Sequence, residues 1–123
     1  APFALRDELG EAAAHVLLWP EHKGQILTLT GQTSWTFADV AKGLSDLTGR
    51  DLPFHNIAPS ALSEALTAAG VNDFMISLTL GTMEDIRSGR YDLTSDDLQT
   101  VLGRAPASLP TLLDKVFASP SAL

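Results

Sequence analysis

Over residues 5–19 the apolar positions Leu5, Leu9, Ala12, Ala13, Val16 and Leu17 recur at the spacing of one helix face. Asp7 and Glu8 crowd the first turn, where negative charge meets the positive end of the helix dipole, and Pro20 stops the element. The pattern then changes. In residues 25–30, Ile26, Leu27 and Leu29 are apolar while Thr28 and Thr30 suit a pleated surface, which predicts a strand. After the loop at Gly31, Thr36 is placed as an N-cap, with Asp39 three residues on to return the hydrogen bond as a short capping box. Phe37, Val40, Ala41, Leu44 and Leu47 supply that helix with a buried stripe, and Gly49 suits its left-handed end. Residues 52–57 read as a second, short strand.

A strand, a helix and a strand in that order form a βαβ unit, whose strands run parallel. The remainder is helical. Pro59 suits a first helical position and Gly70 an end; another helix follows over residues 71–87, with Gly81 as a point where it breaks. Thr94-Ser95-Asp96-Asp97 caps a helix carrying Leu98, Val101 and Leu102, and Ser108 caps a last one bearing Leu109, Leu112, Leu113, Val116 and Phe117. The fold class expected is therefore α/β: a mostly helical lobe with a small two-stranded parallel βαβ unit. Residues 1–118 form the lobe and residues 119–123 a frayed tail. Two strands are too few for a stable sheet, and an open edge at residues 25–30 invites a missing strand or a second copy of the chain.

Composition narrows the chemistry. An apolar content of 45% in 123 residues suits one folded domain, and a net charge of −7 with scattered Lys and Arg speaks against nucleic acid as a partner. With no cysteine, disulfides, thiol chemistry and Cys-based metal sites are excluded. No apolar run approaches the roughly 20 residues needed to span a bilayer, and the amino terminus does not read as a signal peptide, so no membrane association and a cytoplasmic setting are expected. The chain starts at Ala1, close to its first helix, which suits a cleavage product or a truncated form.

Three groups of residues, in order, resemble the final portion of the NmrA-like branch of atypical short-chain dehydrogenases, and within it the type-2 NAD(P)H:quinone oxidoreductases. They are Arg6-Asp7-Glu8-Leu9-Gly10-Glu11-Ala12-Ala13-Ala14, then Gln25-Ile26-Leu27-Thr28-Leu29-Thr30-Gly31 leading to Ser34-Trp35-Thr36, and finally Leu102-Gly103-Arg104-Ala105-Pro106 before an amphipathic helix. Gly49-Arg50, Ala65-Leu66 and Ala69-Gly70-Val71 fall between them in register. The resemblance implies the carboxy-terminal, substrate-side lobe of an NAD(P)-binding Rossmann-fold protein. Its nucleotide-binding amino-terminal domain is absent from this chain. NADP or NAD would be bound by the parent, and none is expected in this chain alone, which has no G-x-G-x-x-G. A Tyr-x-x-x-Lys pair is missing too, since Ser95 stands four residues after Tyr91, the single tyrosine.

Individual residues add little chemistry. His15, His22 and His55 lack the convergence a metal site needs; His55 could face a pocket as a proton donor, though a structural role is the expectation. Glu84-Asp85 and Asp96-Asp97 could be a carboxylate dyad, but neighbours on a helix diverge, and solvated capping is expected instead. No catalytic, cofactor-binding or metal-ligating residue is therefore assigned. Phe74, Met75, Leu78, Leu80 and Met83 form an irregular apolar cluster in the segment that overhangs the substrate in similar proteins. Phe74, Met75, Leu78 and Met83, with Arg87 as polar anchor (Arg90 nearby is another), are the candidate pocket for a small aromatic or quinone-like substrate. The function expected is the substrate-binding lobe of an NAD(P)H-dependent reductase, inactive without its nucleotide-binding half. The alternative is a redox-sensing regulatory or protein-interaction module without catalysis.

Overall fold

The structure is a computed structural model and describes residues 1–117; the expected tail at 119–123 lies outside the described residues. Six α-helices follow one another: α1 Arg6–Leu18, α2 Phe37–Thr48, α3 Pro59–Ala68, α4 Asp73–Arg87, α5 Asp97–Leu102 and α6 Leu109–Phe117, with a single 3-10 turn at Pro20–His22. They pack as three pairs, α1 with α5, α2 with α6 and α3 with α4.

Local chemistry sets several helix ends, although the N-cap residues of α1, α3 and α5 make no side-chain cap. Thr36 and Asp39 form the full capping box: the Asp39 N–H donates to Thr36 Oγ1 at 3.1 Å and the Thr36 N–H donates to Asp39 Oδ2 at 2.8 Å. The Thr36 N–H and the Thr36 hydroxyl, which both donate to Asp39 Oδ2, hold the Asp39 carboxyl below its ordinary value. Gly49 closes α2 in the left-handed conformation at φ 68°. The Asn72 side chain accepts the Met75 N–H at 2.9 Å to start α4. That helix runs unbroken through Gly81, at the cost of about 1 kcal/mol that glycine carries in a helix interior.

The core lies between α1 and α5. Ala12, Leu98, Val101 and Leu102 are buried together, and Ala4, Leu9, Val16, Leu27 and Leu29 pack around them. One acid shares this burial. Glu8 accepts the Ala107 N–H at 3.0 and 3.2 Å, satisfying a donor in the turn between α5 and α6. One turn further along α1, Glu11 receives both arms of the Arg104 guanidinium, at 2.6 and 3.2 Å. The turn 102–107 is thus gripped by two carboxylates of α1. In the middle of α6, Leu113 is buried against α2, where a Cβ on Gly43 would come within 2.5 Å of its Cδ1.

The sequence-based fold class needs correction. Among the described residues there is no strand, so the two-stranded parallel βαβ unit does not exist and the lobe is helical rather than α/β. The reason lies in where backbone groups find partners. Thr28 donates its N–H to Asp97 Oδ2 at 2.8 Å, and Thr30 Oγ1 accepts the Ser95 N–H at 2.9 Å. Residue 52 is claimed by α2: the Leu52 N–H donates to Ser45 Oγ at 2.9 Å. Each segment is tied by side chains to a helix or turn, and a strand needs a ladder. Leu27 and Leu29 still face the core while Ile26 is 97% exposed. Asp97 is accordingly a tether as well as a first-turn acid, a role that reading it as solvated missed.

Two outcomes follow. Asp97→Ala should release residues 25–30 while leaving α5 folded, seen as faster hydrogen exchange at the Thr28 amide; unchanged protection there would refute the tether. The second concerns pH. The hydrogen bond from Arg104, aided by its charge, holds the Glu11 carboxyl below its ordinary 4.5 and raises Arg104 in return. A depressed carboxyl stabilises the fold above its unfolded value, and that contribution is lost as pH falls through the folded value. Arg104→Gln should lower the urea midpoint at neutral pH, and the gap to the parent chain should close below about pH 4.5.

Candidate functional site

The largest hollow described lies between two of the helix pairs, with a volume near 540 Å³. One wall is α2, through Phe37, Val40, Ala41 and Leu44; the other is the last turns of α4, through Met83, Ile86 and Arg87. Residues 54–57 and Leu62 of α3 complete the lining. The stripe that the capping box of α2 orients is therefore one side of a groove, and much of it remains half-buried rather than sealed in a core. Phe54 and Ile57 are 48% and 46% exposed, so the groove opens to solvent over them. Its polar groups are the side chains of His55, Asn56 and Arg87; no carboxylate lines it. The size and the apolar character with few polar anchors are those of a small-molecule site.

Of the residues singled out in the sequence, Met83 and Arg87 line this groove, whereas Phe74, Met75 and Leu78 do not. Geometry accounts for the division. Rows of residues four apart on an α-helix drift about 40° around the axis at each step. The rows 74-78-82-86 and 75-79-83-87 therefore wind around α4 and reach the groove in its last turns. Phe74 is 74% exposed, Leu78 52% and Met75 42%. The α2 stripe and Phe54 went unrecognised as pocket residues, because an amphipathic stripe looks the same whether it faces a core or a groove.

Two smaller hollows offer less. One, near 270 Å³, is bordered by His15, Trp19, Glu21 and His22. His15 lies against Trp19 with the rings tilted by 55° and their centroids 4.7 Å apart, and His22 Nδ1 pairs with Gln25 Oε1 at 3.1 Å. Among the described residues no three His, Asp or Glu side chains converge as metal ligands. The other, near 370 Å³, lies between residues 1–3 and Tyr91 and Leu93. A dinucleotide cradle would need glycines ahead of a helix N-terminus. Gly49, Gly70, Gly89 and Gly103 take positive φ where helices end, and Gly24 does so after the 3-10 turn. The described residues do not fit such a cradle. Among the described residues no helix is long and apolar enough to cross a membrane.

No family model matches the chain. It is homologous to the carboxy-terminal portion of quinone oxidoreductase 2 of Escherichia coli, at 23% identity over 114 residues that cover 93% of this chain and 40% of that protein. The resemblance to the NmrA-like reductases therefore stands. Among solved structures, the NADPH complex of that E. coli NADPH-dependent quinone oxidoreductase superposes with a TM-score of 0.88 at 22% identity, over 94% of this chain and 41% of its own. Triphenylmethane reductase of Citrobacter sp. superposes with a TM-score of 0.90 at 27% identity, over 97% of this chain and 41% of its own; it too has been seen with NADP(H). The chain spans about 40% of the length of each of these relatives.

Proposed function

We propose that this chain is the acceptor-side lobe of an NADPH-dependent reductase, and that the groove between α2 and α4 receives a planar aromatic acceptor such as a quinone. The observation that carries the reading is the groove itself: an apolar slot with three polar side chains, on a chain homologous to an NADPH-dependent quinone reductase. Met83 and Arg87 are the pocket residues kept from the sequence, and Phe74, Met75 and Leu78 extend the same helix beyond it. Within the slot, apolar walls would hold a ring and exclude water while His55 and Asn56 offer hydrogen bonds to its oxygens. NADPH supplies the hydride in such a reductase, and its site would belong to a nucleotide-binding portion that this chain does not contain.

That portion would also cover surface left bare here. Leu17 and Leu18 at the end of α1 are 86% and 71% exposed, beside the 97% of Ile26. Burying such side chains stabilises by about 1.5–3 kcal/mol each, so a docking partner is favoured. A covalently continuous nucleotide-binding portion fits better than a second copy, because each relative carries more than half of its length outside the matched region. A cytoplasmic setting belongs to the same proposal. The purely regulatory alternative gains no support, since the relatives named above are reductases.

The test separates the two halves of the reading. Calorimetry of the purified chain with NADPH should show no saturable binding, while menadione should perturb the NMR signals of Val40, Ala41, Leu44 and Met83. Leu44→Asp should abolish those shifts. Tight NADPH binding by the chain alone, or menadione shifts confined to another surface, would overturn it.

A further inference from the structure

Resting on the reading of the α2–α4 groove as an acceptor site, we propose that Arg87 makes the site selective for acceptors bearing an anionic substituent, and against cationic ones. The chain carries a net charge of −7, yet the groove lining holds no Asp or Glu and one full cation, the Arg87 guanidinium. Its sign is opposite to that of the molecule around it.

Arg87 is also uncommitted. Among the described residues it enters no ion pair and no side-chain hydrogen bond, although acids stand close in sequence. Asp85 is taken by Arg90 at 2.7 Å. Glu84, one turn back on α4, is outside the groove lining and makes no salt bridge with Arg87. A cation in the last turn of α4 answers the helix dipole wherever it points; that alone does not require it to border an apolar slot. Placed there, the planar fork of a guanidinium can meet a carboxylate or sulfonate through two parallel hydrogen bonds while Met83 and Ile86 contact the ring.

Triphenylmethane dyes are delocalised cations, and quinones are neutral. A guanidinium bordering the slot repels the first, tolerates the second and attracts a quinone that carries an acid group. The preference must also be electrostatic in its salt dependence, because Arg87 is exposed and its field is screened beyond about 8–10 Å at physiological ionic strength.

The probes are naphthoquinone sulfonate, menadione and malachite green, titrated into the protein with groove NMR shifts as the readout. Naphthoquinone sulfonate should bind about two- to fivefold more tightly than menadione at low salt, and malachite green more weakly than either. Arg87→Gln should bring the affinity ratio of the sulfonate to menadione to about one, Arg87→Lys should keep part of that ratio, and added salt should shrink it in both cationic forms but not in the Gln variant. Equal affinities for sulfonate and menadione at the groove, or an advantage that survives Arg87→Gln, would overturn the selectivity while the acceptor site stands. If no probe shifts the groove signals, the site reading falls and the selectivity with it.

Discussion

The grip of α1 on the turn between α5 and α6 is the constraint from which the rest of the lobe takes its shape. Glu8 is 8% exposed, and a carboxylate that far out of water is costly unless its oxygens are satisfied. The Ala107 N–H supplies that, one residue after Pro106, which has no N–H to give. Arg104 then closes the turn against Glu11 from the solvent side. With residues 102–107 fixed on α1, the direction in which α6 leaves is fixed too. Leu113 of α6 seats in the notch left by Gly43, and this sets α2, whose free stripe is the groove wall. A pair of acids in the first helix thus positions a surface built thirty residues later.

The motifs that make the chain resemble its relatives take on a physical meaning in this light. Glu8 and Glu11 of the first motif and Arg104 of the last are two sides of one contact. The middle motif is held by the same pair of helices: Leu27 and Leu29 lie on the α1–α5 core, and Thr28 hangs from Asp97 at the start of α5. Gly31, which ends that motif, leaves no room for a side chain, since a Cβ there would sit 2.3 Å from the Phe3 carbonyl oxygen. The residues that carry the likeness are architectural, and none of them lines the α2–α4 groove.

What could be read in the sequence was whatever local chemistry decides. The capping box at Thr36 and Asp39 and the αL end at Gly49 are written in neighbouring residues, and the helix they bound falls where the pattern put it. The alternation of Leu27, Thr28 and Leu29 was legible as well, with the leucines inward. Strand pairing was not, because alternation reports which side faces a core and says nothing about what lies alongside. The groove was half legible for a similar reason. Met83 and Arg87 could be named from α4, but the facing wall depends on which helices α2 leaves unpartnered, a property of the assembled lobe.

The groove exists because the packing is pairwise. α2 is matched with α6 and α3 with α4, and no helix of one pair packs backbone to backbone against a helix of the other. Between them run residues 49–58, without helix or strand, contributing Phe54 and Ile57 as a partly exposed floor. A protein core ordinarily closes such a gap, since apolar surface facing water is unfavourable in proportion to its area. Here closing it would require α4 to slide over α2, against the seating of Leu113 at Gly43 on one side and of Ile76, 7% exposed, on the other. The width of the slot is therefore determined by two separately packed helix pairs and a connecting loop.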